Sequence, residues 1–335
     1  MVLDPITFLG ASKGQIILDV RSESEFELGH IPGAFSLPLF NNDERAIVGT
    51  IYKKQNAQKA MEKGLEIAGP KLAEMVNKAK SICGNKSAYV YCWRGGKRSE
   101  SVAWLLNMAG INSNIMLGGY KAYRSLLPHF CESNLQVKVV GGFTGSAKTE
   151  LLQVLKNKGE QIIDLEQLAN HKGSAFGNLL NETQPSSEHF SNLLLDDLNN
   201  LDKSKQVWVE DESKTIGSVF IPNEFYDIMK TAPLFILERS KQERIKHLVD
   251  SYGHHSTEEL RRGFDKIGKR LGGQHLKSAQ ESILSGQLDV AVNIALTYYD
   301  KKYKHGIDQN DSPKKTLDGK GMSLSQIADE LILMS

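Results

Sequence analysis

The chain has 335 residues, 40% hydrophobic and 24% charged, with a formal net charge of +1 at pH 7. That length exceeds one hydrophobic core and predicts two domains, while the near-neutral balance excludes a globally basic nucleic-acid binder, so any such surface must come from local segregation of charge. Three cysteines, Cys83, Cys92 and Cys131, lack CxxC spacing; with no signal-like N-terminus and no membrane-length apolar run, they predict reduced thiols, no zinc site, no membrane partner and a cytoplasmic location.

In chain order, residues 15–21 are a short apolar run ending in charge, as a buried parallel strand is, and residues 22–28 read as a helix start. Residues 29–38 are a turn-rich return, and residues 53–80 take up helical spacing. The strand 87–91 then delivers Cys92 to a tight loop with Gly95 and Gly96, after which Val102, Leu105, Leu106 and Ala109 recur at helical spacing. A thiol facing loop and helix N-terminal amides, with Arg94, Lys97 and Arg98 close in sequence, is set for thiolate chemistry beneath a bound anion. The plain alternative is a small core residue at a strand end. Residues 114–120 close the unit as a strand and turn, and the alternation of elements predicts an α/β domain with a mostly parallel sheet.

Four of these stretches, Leu18-Asp-Val-Arg21, Gly29-His-Ile-Pro-Gly-Ala34, the Cys92 loop and Leu117-Gly-Gly-Tyr120, resemble the successive landmarks of a rhodanese domain. The resemblance implies that Cys92 carries sulfur or selenium as a persulfide-type adduct. Residues 42–54 and the helices after them exceed what sheet closure needs, and read either as a covering helix pair or as a wall over the cysteine.

Residues 135–141 form a β-rich run that leads into Gly142, Thr144, Gly145, Ser146, Ala147, Lys148 and Thr149, a Walker A spacing followed by a leucine-rich helix. Loop amides there point at phosphate oxygens, the lysine opens the helix, and the hydroxyl after it suits a cation. Ala147 stands where the consensus has its second glycine, and its methyl group is expected to crowd the backbone's approach to phosphate. Further strands are expected at 161–165, 206–210 and 232–238. Glu210, Asp211 and Glu212 end the middle one, and carboxylates there suit Mg²⁺ held indirectly, with Thr149 and Asp211 nearest, unless they are a plain solvated turn. His171 and Ser174 fall in a loop expected beside the phosphate loop.

Residues 238–277 carry ten Lys and Arg against six Asp and Glu. This is the local footprint of a phosphate-backbone contact, or else a solvated helix face laced with ion pairs. Residues 296–305 interleave tyrosines with cations, which suits base stacking, although helix packing is the commoner use. Residues 306–321 read as a polar linker, and Ser323 with Gln326 as the capping box of a last short helix.

The set as a whole, residues 91–99, 142–149, 164–177, Gln184-Pro-Ser186, 207–213, Arg270-Leu-Gly-Gly273 and Tyr298-Tyr-Asp300 in this order, resembles the tRNA 2-selenouridine synthase family over about the first 305 residues. The resemblance implies a rhodanese-like parallel-sheet domain at 1–130 and a P-loop NTPase-like α/β domain at 131–305. A basic helical tRNA-binding part would span about 238–305, with a polar linker and short helix at 306–335. It further implies that the wobble 2-thiouridine of tRNA is S-geranylated from geranyl diphosphate, and that selenium from selenophosphate then displaces the geranylthio group. Cys92 would serve the selenium step, Arg94, Gly95, Gly96, Lys97 and Arg98 would face selenophosphate, and the P-loop would take the diphosphate. Arg261, Arg262, Lys269, Arg270, Tyr298 and Tyr299 would meet tRNA. No permanently bound cofactor is expected beyond Mg²⁺, and a transient contact with a selenophosphate-producing enzyme would supply the donor. Two other readings fit the same residues. A sulfurtransferase fused to an ATP-dependent kinase or ligase predicts thermal protection by ATP; a non-catalytic tRNA-binding module predicts that Cys92→Ala behaves like wild type.

Overall fold

The computed structural model of the chain describes residues 1–133, 135–171, 183–308 and 312–335. Two compact units, Met1–His129 and Phe130–Ser335, divide it.

In the first unit the elements are β1 (Val2–Leu3), α1 (Pro5–Ala11), β2 (Ile16–Asp19), α2 (Glu23–Leu28), β3 (Phe35–Ser36), α3 (Asn42–Lys54) and α4 (Ala57–Ala68). They continue with α5 (Leu72–Cys83), β4 (Ala88–Tyr91), α6 (Lys97–Met108), β5 (Ser113–Met116) and α7 (Gly119–Arg124), while α8 (Leu126–Cys131) runs across the boundary. The five strands pair parallel in the order β1-β5-β4-β2-β3. β4 lies at the centre and is buried along its whole length, as an unbroken apolar and aromatic run must be when helices cover both faces. The 42–54 stretch is the helix α3, capped by Asn41 with Glu44 in a capping box. α4 turns Ala60, Gly64 and Ala68 inward at four-residue spacing.

The second unit contains β6 (Gln136–Gly142), α9 (Lys148–Asn157), β7 (Gln161–Ile163), α10 (Leu165–Leu168), α11 (Ser187–Asn200) and β8 (Gln206–Glu210). A small hairpin of β9 (Thr215–Ile216) and β10 (Val219–Phe220) follows, then α12 (Asn223–Thr231) and β11 (Leu234–Glu238). Four helices, α13 (Lys241–Tyr252), α14 (Thr257–Leu271), α15 (Gly273–Leu284) and α16 (Leu288–Asp308), precede β12 (Lys314–Asp318) and α17 (Leu324–Met334). The sheet is parallel in the order β12-β11-β6-β8-β7. The chain leaves β6 toward β8 and β7 and later returns on its other side as β11. The carboxyl end of β6 is therefore the switch point at which open parallel sheets bind ligands. Leu260, Phe264, Ile267 and Leu271 run along one face of α14 and form a separate core with α15 and α16.

The expectation of a linker at 306–321 is corrected here. α16 continues to Asp308, and residues 314–318 are an edge strand in register with β11, Leu234 opposite Lys314 through Glu238 opposite Asp318. Leu317 is the one apolar residue of that strand and packs on the core, so backbone pairing rather than composition makes it a strand; Lys315 folds back over the Phe235 ring and onto the Met334 carbonyl of α17. α17 has the expected Ser323–Gln326 capping box, and Ile327, Ala328 and Leu331 bury against Leu151, Leu152 and Leu155 of the phosphate-loop helix α9.

Candidate functional site

Cys92 leaves the carboxyl end of β4 and is buried, its Sγ 3.2 Å from Ser99 Oγ and 3.9 Å from the Gly96 carbonyl. The loop is pinned from below: Tyr120 N donates to the Cys92 carbonyl at 2.9 Å and Lys121 N to the Trp93 carbonyl at 3.0 Å. Gly95 and Gly119 interlock at positive φ, and a Cβ on either would strike the other's backbone, so this crossing requires glycine. Beneath it, Arg21 is almost fully buried; it pairs with Asp19 at 2.6 Å, donates to the Gly29 carbonyl at 2.6 Å and lies 3.8 Å over the Tyr120 ring. The Leu18–Arg21, Gly29–Ala34 and Leu117–Tyr120 motifs thus meet at one guanidinium.

The three cations next to the cysteine diverge. Lys97 pairs with Glu100 at 3.0 Å and Arg98 with Glu25 at 3.0 Å, while Arg94 is exposed with no ion-pair partner among the described residues. Glu25 also lies 3.5 Å from Arg45 of α3, which ties the covering helix to α2 and α6.

In the second unit the phosphate loop follows β6. Ala147 takes φ 62° and ψ 41° and starts α9. Lys148 Nζ reaches the Gly142 carbonyl at 3.3 Å, and Thr149 Oγ1 donates to Glu166 Oε2 at 2.8 Å. Glu166 N in turn donates to Glu210 Oε1 at 2.8 Å, which leaves Glu210 Oε2 buried without a partner among the described residues. Burial, then the charge of Asp164, pushes Glu210 well above the usual carboxylate range. Burial, then Glu166, pushes Glu212 up to about 8, and burial raises Glu166 against the pull of Lys148. Carboxylates whose ionised forms are disfavoured so close to a phosphate loop fit an incoming cation. Among the described residues no three His, Cys, Asp or Glu side chains converge into a metal cage. A cation in this place would be held mainly by ligand phosphate and water, with Thr149, Glu166, Asp211 and Glu212 among the groups that line it.

A cavity of about 480 Å³ opens from the loop. One end is lined by Gly142, Thr144, Gly145, Ser146, Ala147, Lys148 and Thr149, with Glu166, Asp211 and Glu212 opposite and Lys230, His247 and Lys302 nearby. Most of the remaining lining comes from the helices and is largely apolar, with Leu248, Tyr252, Leu260, Phe264, Leu288, Val292, Leu296, Tyr299 and Ile307, although Glu150, Ser251 and Tyr303 also reach it.

Other expected residues are distributed differently. His171 packs at the turn of Gly217 beside Gln184, outside the cavity lining; burial, then Lys266, lowers its pKa, and its Nδ1 has no partner among the described residues. Ser174 lies outside the described residues. Gln184, of the Gln-Pro-Ser motif, braces that turn by donating to the Ala169 and Ile216 carbonyls at 3.0 Å each. On α14, Arg261 and Arg262 share Glu258, Lys269 is exposed, and Arg270 reaches the Tyr298 hydroxyl at 3.5 Å. Tyr299 lines the cavity instead of this basic face. Sequence reasoning missed Glu166, Arg244 and Tyr303. Glu166 was findable, because it follows a strand at the carboxyl edge of the sheet. Tyr303 lies 161 residues from the loop it touches and left no local signal.

A cysteine-loop unit followed by a parallel sheet with a phosphate loop at its switch point defines the class, a rhodanese-like domain joined to a P-loop domain. Residues 9–126 match the rhodanese-like domain family, and residues 135–330 match the tRNA 2-selenouridine synthase AAA domain. The chain is 33% identical over 329 residues to the tRNA 2-selenouridine synthase of Shewanella denitrificans, covering 88% of each chain. It is 35% identical over 331 residues to that of a Sulfurovum species, covering 88% of this chain and 90% of the other. The synthase of Pseudomonas syringae is 35% identical over 327 residues, covering 86% of this chain and 87% of its own. The chain belongs to the tRNA 2-selenouridine synthase family and is a tRNA-modifying enzyme of that kind. Among the described residues no helix is long and apolar enough to cross a membrane.

Proposed function

We propose that the P-loop unit binds geranyl diphosphate and transfers its geranyl group to the sulfur of a wobble 2-thiouridine in tRNA, after which the Cys92 unit delivers selenium from selenophosphate. The observation that carries this reading is the two-ended cavity. The phosphate-loop residues in its lining suit a diphosphate, and the apolar side chains from α13, α14 and α16 suit a hydrocarbon chain rather than the polar edges of a nucleoside.

The sulfur attacks the allylic carbon, a C–S bond forms as the C–O bond breaks, and the base gives up its N3 proton. Diphosphate departs toward the loop amides and Lys148, which oppose the charge that develops there. Mg²⁺, held at Thr149 and Asp211 through phosphate and water, would neutralise part of the same charge. Alkylation makes sulfur a better leaving group, so the Cys92 thiolate bonds to C2 as geranylthiolate leaves. The selenium of selenophosphate then bonds to C2 as the cysteine thiolate leaves, and water splits the Se–P bond with release of phosphate. Arg94 and the Gly95 and Gly96 amides face the phosphate of selenophosphate, and Lys97 and Arg98 join them by exchanging their carboxylate partners for it. Arg261, Arg262, Lys269, Arg270 and Tyr298 offer the cations and the ring that a tRNA backbone and an unpaired base require.

Nucleoside mass spectrometry of thiolated tRNA incubated with the chain, geranyl diphosphate and selenophosphate tests this. A geranylated nucleoside is expected to persist in Cys92→Ser and to be absent in Lys148→Ala. Unchanged nucleosides under every combination would sink the proposal. Thermal protection by ATP but not by geranyl diphosphate would favour the kinase or ligase alternative.

A further inference from the structure

We infer that Tyr303 is a positioning residue for the phosphate loop, because its one hydroxyl on α16 fixes both the amide that opens the loop and the carboxylate that faces it. The oxygen accepts from Gly142 N at 2.6 Å, and the hydroxyl donates to Asp211 Oδ2 at 3.2 Å. Its ring packs edge-on against Phe143, centroids 5.2 Å apart.

The sequence before the loop is shaped to admit this hydroxyl. A Cβ at Gly141 would lie 2.6 Å from it and 2.9 Å from Leu234 Cδ1, so any larger residue there pushes α16 off the loop. Asp300, three residues earlier on the same face of α16, makes a second hold. It binds Arg244 through two bonds of 2.8 Å, and Arg244 Nη1 also donates to the Thr144 carbonyl at 3.1 Å. α16 thus grips the loop at Gly142 and Thr144, and it also lays Leu288, Val292 and Leu296 on the apolar cavity wall. Headgroup and chain of one amphiphilic ligand would meet the same rigid element. The inference rests on the reading of this cavity as a prenyl diphosphate site.

The test is a calorimetric titration of pyrophosphate, with Mg²⁺ in the buffer, into the full chain as wild type, Tyr303→Phe, Asp211→Asn and the double variant, with thermal midpoints recorded beside it. Tyr303→Phe keeps the ring on Phe143 and is expected to weaken binding about tenfold. The double variant is expected to lose less than the product of the two single losses, because the Tyr303–Asp211 contact is removed by either substitution, whereas the hold on Gly142 is lost only with Tyr303. A lowered midpoint with unchanged affinity, or losses that multiply in the double variant, overturns the positioning role and leaves the diphosphate reading standing. Absence of pyrophosphate binding in wild type overturns the diphosphate reading and this assignment with it. Asp300→Asn provides a second variant should Tyr303→Phe not fold; weakened pyrophosphate binding there supports the grip of α16 on the loop, and wild-type affinity overturns it.

Discussion

Ala147 stands where a phosphate loop ordinarily has glycine, and the backbone nevertheless follows the path glycine would take, at φ 62°. For an L-residue that conformation costs roughly 1–2 kcal/mol, part of which alanine recovers by restricting the unfolded chain. Ala147→Gly is therefore expected to raise unfolding stability by about 1 kcal/mol, read from denaturant midpoints at unchanged slope. The places of Cys92, Lys148 and Thr149 in their loops were legible at this scale because each depends on local order along the chain. The partners of the cations beside Cys92 were not. Successive helical residues point about 100° apart, so Lys97 and Arg98 separate toward Glu100 and Glu25; adjacency in sequence does not become convergence in space.

Among the elements, α16 has the widest reach, from the apolar wall to the loop itself. Its Val292 is buried and faces the cavity. Val292→Trp is expected to weaken geranyl diphosphate binding about tenfold or more while pyrophosphate binding stays within about twofold, since only the chain end loses room. Parallel calorimetric titrations of the two ligands check this, and equal losses for both would contradict the division of the cavity into two ends. The strands and most helices were readable from apolar periodicity. β12 was not, because a strand held by backbone bonds at a polar edge has almost no apolar pattern to read. The wall of the cavity was also hidden, since the residues that line it from α13, α14 and α16 look in sequence like an ordinary helical core.

For the whole molecule, the carboxylates facing the phosphate loop are expected to make stability depend on pH. Glu212 has its pKa raised to about 8 in the folded chain from an ordinary value of 4.5, so the folded state keeps a proton that the unfolded state has lost. The stability this proton contributes is fully present below about pH 4.5 and is lost as pH rises through about 8. The ligand-free chain is expected to lose stability across that window by a measurable amount, and Glu212→Gln to lose less. Urea unfolding at stepped pH decides it, and identical slopes in the two proteins would exclude Glu212 as the source. The division into two units was legible from length and from motif order, yet the extent of the second was not, because it reaches past the expected linker to include β12 and α17.

That late closure bears on synthesis. β11 gains its outer neighbour, and α9 its cover, only from residues 314–334, whereas the rhodanese-like unit is complete by residue 129. During translation the Cys92 unit can therefore fold while the phosphate-loop sheet still lacks an edge strand and the helix behind its loop is bare. A chain cut off between the two would carry a finished Cys92 loop beside an unfinished phosphate-loop sheet, with Leu151, Leu152 and Leu155 of α9 uncovered.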